Sequence, residues 1–313
     1  MIGIILAGGK SKRFNSEKSK VLHELLGKPV LSYSIDTLKS LGIEDVYIVV
    51  GGKSKDEIMS RFQKEVKVVD QKIPLGTGDA VKKVLEKIKD IKGEDVLILP
   101  GDAPLLKAET LKKFIEFHLQ EKPDCSIMTT VFQNSKGYGR IIKENSRVIK
   151  IVEELDASEE EKKIKEVNAG VYIFKREILE KVINRIEPNN KKGEYYLTDC
   201  IHIINSLKGK ILAFKTDDHE ECMGINKRDD FVKAFKVMKK RIIDEFIEKG
   251  VTILDPDNTY IESEVEIGRD SVIYPFVFLK GKTRIGKNCE IGPFVYLENK
   301  VVKDGEKIRG GEQ

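Results

Sequence analysis

Only four histidines and four cysteines occur in 313 residues, so soft-metal and thiol or imidazole nucleophile chemistry has little material to work with. Cys125, Cys200, Cys222 and Cys289 are widely separated and form no CxxC pair, which argues against both a zinc cluster and a disulfide scaffold. A reducing cytosol is the simplest setting for them. No apolar run approaches the ~20 residues that cross a bilayer. Residues 2–7, with no basic region before them, read as a first strand and not a signal sequence. A dominant charge is missing too: 56 basic and 52 acidic residues are mixed along the chain for a net +4, with no stripe that nucleic acid would demand. Two glycine fingerprints are also absent. Gly8 and Gly9 are adjacent, so GxGxxG fails, and no GxxxxGK[ST] occurs in this loop, which disfavours a Rossmann dinucleotide site and a Walker-type loop. A soluble cytoplasmic protein with no membrane or nucleic-acid partner is expected.

What is present begins with the run Leu6-Ala7-Gly8-Gly9-Lys10-Ser11-Lys12-Arg13-Phe14, closed by Lys20-Val21-Leu22-His23. Its glycines let backbone N–H groups approach phosphate oxygens, and Arg13 and Lys20 can offset their charge, although a basic surface turn would look the same. Through about residue 120, strand-like runs (2–6, 46–50, 96–99) alternate with amphipathic segments (30–41, 80–88, 111–119). That alternation predicts an α/β fold, a mostly parallel sheet with helices on both faces. Ligands of such sheets lie beyond the carboxyl ends of the strands, where both the glycine loop and Asp102 fall. Residues 126–174 read as short β pieces inserted over the cleft, and 158–165 as a solvated helix or loop. Helices are expected at 176–186 and 195–207, a strand at 210–215, and a long connecting helix at 227–249.

Past Gly250 come Ile267-Gly268, Ile285-Gly286 and Ile291-Gly292, with Ile261, Val265, Val272, Phe278 and Val295 between them. This is similar to the hexapeptide repeat of a left-handed parallel β-helix, in which an aliphatic side chain at each turn fills the axis. A small antiparallel β appendage is the alternative. The expected division is 1–226, 227–249, 250–303 and a tail at 304–313.

Five further motifs follow the glycine loop in order: Lys20-Val21-Leu22-His23; Gln71 with Leu75-Gly76-Thr77-Gly78; Gly101-Asp102-Ala103-Pro104-Leu105; Gly137-Tyr138-Gly139-Arg140; and Glu194-Tyr195-Tyr196-Leu197-Thr198-Asp199. With them the chain resembles the uridylyltransferase half of the bacterial bifunctional N-acetylglucosamine-1-phosphate uridylyltransferase/glucosamine-1-phosphate acetyltransferases, and more broadly the sugar-phosphate nucleotidylyltransferases. The resemblance implies that Leu6, Ala7, Gly8, Gly9, Pro100 and Gly101 lie beside the nucleotide, with Arg13 and Lys20 facing phosphates and Lys20 following charge onto the leaving pyrophosphate. It implies a uracil pocket of Gln71, Gly76 and Thr77, in which the Gln71 amide meets both donor and acceptor of the base. Thr77 could equally cap a helix. Asp102 is the implied Mg²⁺ ligand, joined by Asn226 of Gly224-Ile225-Asn226-Lys227-Arg228. An isolated aspartate after a strand is otherwise a common turn or cap. Gly139, Glu153 and Asn168 are implied sugar-binding residues, with Tyr196 and Thr198 near the acetamido group, although Tyr196 suits a core role as well. Glu154 is expected to be exposed.

The implied reaction is attack of N-acetylglucosamine-1-phosphate on the α-phosphorus of UTP, giving UDP-N-acetylglucosamine and pyrophosphate. No general base is needed, since a phosphate monoester is largely dianionic at neutral pH, with a second pKa near ~6. The sequence departs from the family at Gly8, at Ser11 where a second loop glycine is usual, and at Pro100, which removes a backbone donor near the ribose. Because about three β-helix coils are read here, acetyltransferase activity is expected to be absent from these 313 residues, and a homotrimer through the β-helix is possible on this pattern. Another sugar-1-phosphate nucleotidylyltransferase, using glucose-1-phosphate with UTP or dTTP, is the nearest alternative, and a non-catalytic sugar-nucleotide-binding regulatory subunit is the third.

Overall fold

A computed structural model describes residues 1–9, 12–52, 54–88, 95–145 and 147–310, with the Lys12 side chain outside it. Lys10 and Ser11 therefore lie outside the described residues. The chain forms two compact units, one made of Met1–Leu22 with Val30–Lys227, the other of His23–Pro29 with the residues from Arg228 onward.

Among the described residues, the first unit is built on a nine-stranded sheet. Its main path runs Ile211–Lys215, Cys125–Val131, Glu166–Phe174, Val96–Pro100, Ile2–Leu6, Val46–Val50, Lys67–Asp70. Each central strand is apolar on both faces because both are covered. Ile2, Ile4, Val96 and Ile98 pack in one core cluster with Val81, Val84, Leu179 and Ile201, while Ile5, Leu97 and Leu99 enter another with Leu31, Ile35, Ile58 and Phe114. The two-residue period of a strand sends alternate side chains to opposite helical layers. Helices Thr77–Lys87, Arg176–Ile183 and Asp199–Ser206 supply one layer; Val30–Ser40, Lys55–Phe62 and Ala108–Glu121 supply the other. The Ile2–Leu6 strand pairs in parallel with Val46–Val50 on one side and Val96–Pro100 on the other, in register Leu6 to Pro100. Chain order thus reverses beside Leu6, creating the crevice at the carboxyl edge where ligands bind.

The structure corrects the reading of residues 126–174 as an insertion. Cys125–Val131 and Glu166–Phe174 are strands of the main sheet, the latter antiparallel to both its neighbours and wholly buried over Val171–Phe174. Among the described residues, only the hairpin of Arg140–Glu144 and Arg147–Val152 and the short helix Glu159–Lys162 stand between them, that helix closed by a Ser158/Glu161 capping box.

In the second unit, helix Arg228–Glu248 precedes a parallel β-helix. Three ladders of short strands form its faces, and Tyr260 pairs with Phe278 and Phe278 with Tyr296, one coil per 18 residues. Ile253, Ile273 and Ile291 stack inside one face, Ile267, Ile285 and Val302 inside another. The pattern read as ending at 303 continues, because Lys307–Ile308 pairs with Glu290–Ile291. Residues 23–29, read as part of the first domain, form a hairpin grouped with this unit, with the Leu26 carbonyl accepting from Ser263 N–H at 3.0 Å.

Candidate active site

At the carboxyl edge of the sheet a cavity of about 350 Å³ opens between the glycine loop, Gln71, the start of helix Thr77–Lys87, Asp102 and the Glu166–Phe174 strand. Leu6, Ala7, Gly8, Gly9, Lys20, Gln71, Gly76, Thr77, Pro100, Asp102, Glu153, Asn168 and Thr198 all line it. Gly101 lies behind them: its N–H donates to the Leu6 carbonyl at 3.0 Å, and a Cβ there would stand 3.1 Å from that oxygen, a close contact that glycine avoids where the two strand ends meet.

One end is electrostatic. The Lys20 ammonium donates to the Asp102 carboxylate and, at 3.1 Å, to Asn226 Oδ1. Arg13 Nη2 donates to that same Asn226 oxygen at 3.0 Å. Asn226 is held there by its neighbour, since Ile225 N–H donates to the Asp102 carbonyl at 2.8 Å and the Ile225 side chain is fully buried. Upstream, buried Glu221 accepts from Lys107 N–H at 3.1 Å and from the Thr110 hydroxyl at 2.8 Å, tying this segment to the first turn of helix Ala108–Glu121. Burial raises the Glu221 carboxyl, and the Thr110 bond only partly offsets it. Neither Glu221 nor its role was visible in the sequence, which offers no motif around it. Lys18, in contrast, is half-exposed near Glu57 at 3.9 Å.

A polar floor lies at the other side of the loop. Gln71 is buried, and its Nε2 donates at 2.9 Å to both the Gly76 carbonyl and Asp79 Oδ2. Both amide hydrogens are thus engaged, correcting the expectation that Gln71 offers donor and acceptor alike; the amide presents Oε1. Gly76 has φ +124°, and a Cβ on it would fall 2.4 Å from the Tyr195 carbonyl oxygen, so this turn requires glycine. Gly76 is the N-cap of the helix; Thr77 is its first residue and accepts from Leu197 N–H at 2.9 Å, which replaces the capping role read for it.

The third wall comes from the strand Glu166–Phe174, whose register shifts between Asn168 and Tyr172 around Gly170 at φ +76°. Such a bulge re-aims side chains. Asn168 Oδ1 accepts from Gly170 N–H at 3.0 Å and its Nδ2 donates to the Tyr172 hydroxyl at 2.5 Å. Gly170 and Tyr172 line the cavity too, and Tyr172 escaped the sequence reading because a bulge leaves no periodic trace. Glu153 accepts from the Thr198 hydroxyl at 3.2 Å, and burial holds its carboxyl above the usual glutamate range despite that bond.

Gly139 and Tyr196 do not line this cavity. The Gly139 carbonyl accepts from Asn168 N–H at 2.9 Å, and a Cβ on Gly139 would sit 2.9 Å from Ile151 and 3.6 Å from Glu153. Tyr196 is 7% exposed and borders a separate cavity of about 480 Å³ that shares Glu153 and Thr198 with the first. Glu154, expected to be exposed, is instead partly buried, its side chain 25% exposed: it pairs with the guanidinium of buried Arg140 at 2.8 Å and accepts from Gly137 N–H at 2.9 Å. Burial acts to raise its pKa, but Gly137 and Arg140 outweigh it and lower it. His23 stacks edge-on with Phe231 and buried His118 bonds Ser126, so both are structural.

A glycine loop at a strand-order reversal, with a lysine on a strand-end aspartate and an arginine on the asparagine beside it, is the arrangement of a nucleotidyltransferase, and the comparisons agree. The MobA-like NTP transferase domain matches residues 3–171, and the chain belongs to that family. It is 44% identical over 282 residues to the bifunctional protein GlmU of Caldanaerobacter subterraneus subsp. tengcongensis, covering 90% of this chain and 61% of that protein. The bifunctional protein GlmU of Clostridioides difficile is 41% identical over 307 residues, covering 98% of this chain and 66% of that one. The chain therefore spans under two thirds of these relatives' length. A solved structure of a putative glucose-1-phosphate thymidylyltransferase from Bacillus anthracis, in complex with a sucrose, superposes with a TM-score of 0.62 at 18% identity, over 76% of this chain and 94% of that one, a likeness of fold. Among the described residues, no helix is long and apolar enough to cross a membrane.

Proposed function

We propose that the first unit transfers a uridylyl group from UTP to N-acetylglucosamine-1-phosphate, giving UDP-N-acetylglucosamine and pyrophosphate. The observation that carries this reading is the convergence of Lys20 and Arg13 on Asp102 and Asn226 at one end of a cavity whose other walls are the Gln71 floor and the Glu153/Asn168 bulge. The nucleotide lies along the glycine loop with its base over Gln71 and Gly76, and the acceptor sugar against Glu153, Asn168 and Thr198. Glu153 and Asn168 hydrogen-bond sugar hydroxyls and the acetamido group, and their partial burial penalises an acceptor that leaves them unpaired.

Asp102 and Asn226 fit a divalent magnesium ion. Both are hard oxygen donors, and both already turn an oxygen toward a cation, the Lys20 ammonium. With two protein ligands, the remaining positions would go to phosphate and water. When bound, the ion neutralises phosphate charge and aligns the α-phosphate. Lys20, released from Asp102, moves with the charge that grows toward the pyrophosphate, and Arg13 holds the outer phosphates. The sugar phosphate needs no base, since its attacking oxygen is already deprotonated at neutral pH. Alignment within the cavity supplies much of the acceleration.

A panel crossing four nucleoside triphosphates with three sugar phosphates, read by pyrophosphate release, tests the assignment. UTP with N-acetylglucosamine-1-phosphate is expected to lead; a clear preference for dTTP with glucose-1-phosphate would overturn the substrate choice while leaving the chemistry.

A further inference from the structure

We infer that Asp79 is a positioning residue for base selection: it fixes which end of the Gln71 amide faces the nucleotide and thereby sets the preference for uracil over cytosine. The inference rests on the uridylyl-transfer reading above.

Gln71 is 5% exposed, and its amide cannot reorient without breaking contacts inside the protein. One Nε2 hydrogen goes to the Gly76 carbonyl and the other to Asp79 Oδ2, each at 2.9 Å. Both partners are acceptors only, a carbonyl and an ionised carboxylate. A flipped amide would set Oε1 against two oxygens at once. With the amide held this way round, Oε1 is left toward the cavity beside Gly8, where a Cβ on Gly8 would stand 3.2 Å from it, and among the described residues nothing donates to it. The scaffold around the lock is closely packed. Gly76 sits at φ +124° against the Tyr195 backbone, Gly78 N–H donates to the Tyr195 carbonyl at 2.8 Å, and Asp79 occupies the first turn of helix Thr77–Lys87.

A fixed carbonyl oxygen accepts from an N–H and repels a lone pair. Uracil presents N3–H in the position where cytosine presents an unprotonated N3. Thymine shares N3–H with uracil, so this device separates UTP from CTP and leaves UTP and dTTP alike. Its charge-bearing member is Asp79, because Asn at that position could turn either its oxygen or its NH₂ toward Gln71 and tolerate both orientations. The Gly76 carbonyl remains in that variant, so the lock is weakened and not abolished.

The test compares kcat/KM for UTP, CTP and dTTP, each with N-acetylglucosamine-1-phosphate and Mg²⁺, in the full chain and in Asp79→Asn and Asp79→Glu. Asp79→Asn is expected to lower the UTP/CTP ratio about tenfold, the scale of one hydrogen bond to a charged group, while the UTP/dTTP ratio stays within twofold. Asp79→Glu, which keeps an acceptor-only carboxylate, is expected to retain most of the UTP/CTP preference. An unchanged UTP/CTP ratio in Asp79→Asn overturns the inference. So does a parallel fall in both ratios, or an equal loss in Asp79→Glu, since either assigns the effect to general damage of the turn. Absence of turnover with UTP in the unmodified chain is a distinct result that removes the uridylyl-transfer reading itself, and the inference with it.

Discussion

Replacing Lys20 with Met, which keeps most of the stem and removes the charge, should move two properties in opposite directions. In the structure the Lys20 ammonium sits on both proposed metal ligands, Asp102 and Asn226, with side-chain exposures of 13% for Lys20 and 21% for Asp102. At that burial the contact is only partly screened. A charge-assisted hydrogen bond of this kind contributes ~1.5–3 kcal/mol, and a cation entering the site must break it, so its removal is expected to tighten divalent metal binding to the nucleotide-free protein by about 10–100-fold. Turnover should fall by about 10²–10³-fold, the usual loss when one oriented group that stabilises developing charge is removed. Calorimetric titration of Mn²⁺ into the nucleotide-free protein reads the first effect and pyrophosphate release at saturating substrates the second. Loss of turnover with no gain in Mn²⁺ affinity would refute the idea that Lys20 occupies the metal's ligands.

Three other outcomes follow from the same geometry. Gly76→Ala puts a Cβ 2.4 Å from the Tyr195 carbonyl at φ +124° and is expected to cost about 2–4 kcal/mol in thermal or urea unfolding, with a raised KM for UTP. Glu154→Gln leaves the Arg140 guanidinium, 2% exposed, without its ionic partner; about 2 kcal/mol of stability should be lost at pH 7, together with sugar-phosphate affinity as the Gly137–Gly139 turn loosens. Because the Glu154 carboxyl is lowered on folding, its contribution is present above the ordinary glutamate value and disappears as pH falls through the lowered one, so the variant's deficit should shrink in acid. Glu153 has the opposite sign: burial raises its carboxyl, the neutral form persists above the ordinary range, and the KM for the sugar phosphate should fall as pH rises through the raised value, a titration that Glu153→Gln lacks.

The parallel core of the sheet was legible because its strands are short apolar runs bounded by turns, and Ile2–Leu6, Val46–Val50 and Val96–Pro100 lie where the alternation put them. The strand Lys67–Asp70 and helix Lys55–Phe62 were missed: the strand is four residues at the sheet edge with only two apolar side chains, Val68 and Val69, and the helix is only eight residues long. Residues 126–174 misled for a physical reason. An antiparallel strand in a parallel sheet breaks the alternating β-α rhythm, and a bulge at Gly170 breaks its own two-residue period. At the site, motif residues were found where chemistry dictates the residue type. Their supports were not, since Asp79, Glu221, Arg140 and Tyr172 act through distances that only folding sets. Gln71 illustrates the difference: the residue was legible, but which of its ends faces the cavity depends on two acceptors five and eight positions away.

The central claim, that this cavity transfers a nucleotidyl group between UTP and N-acetylglucosamine-1-phosphate, is tested most directly by following phosphorus in both directions with ³¹P NMR. With Mg²⁺ present, UTP should give pyrophosphate and UDP-N-acetylglucosamine in equal amounts, added pyrophosphate should reverse the reaction, and chelation of the metal should stop it. Tight binding of UDP-N-acetylglucosamine with no exchange of phosphorus in either direction would contradict the account and leave a binding protein in its place.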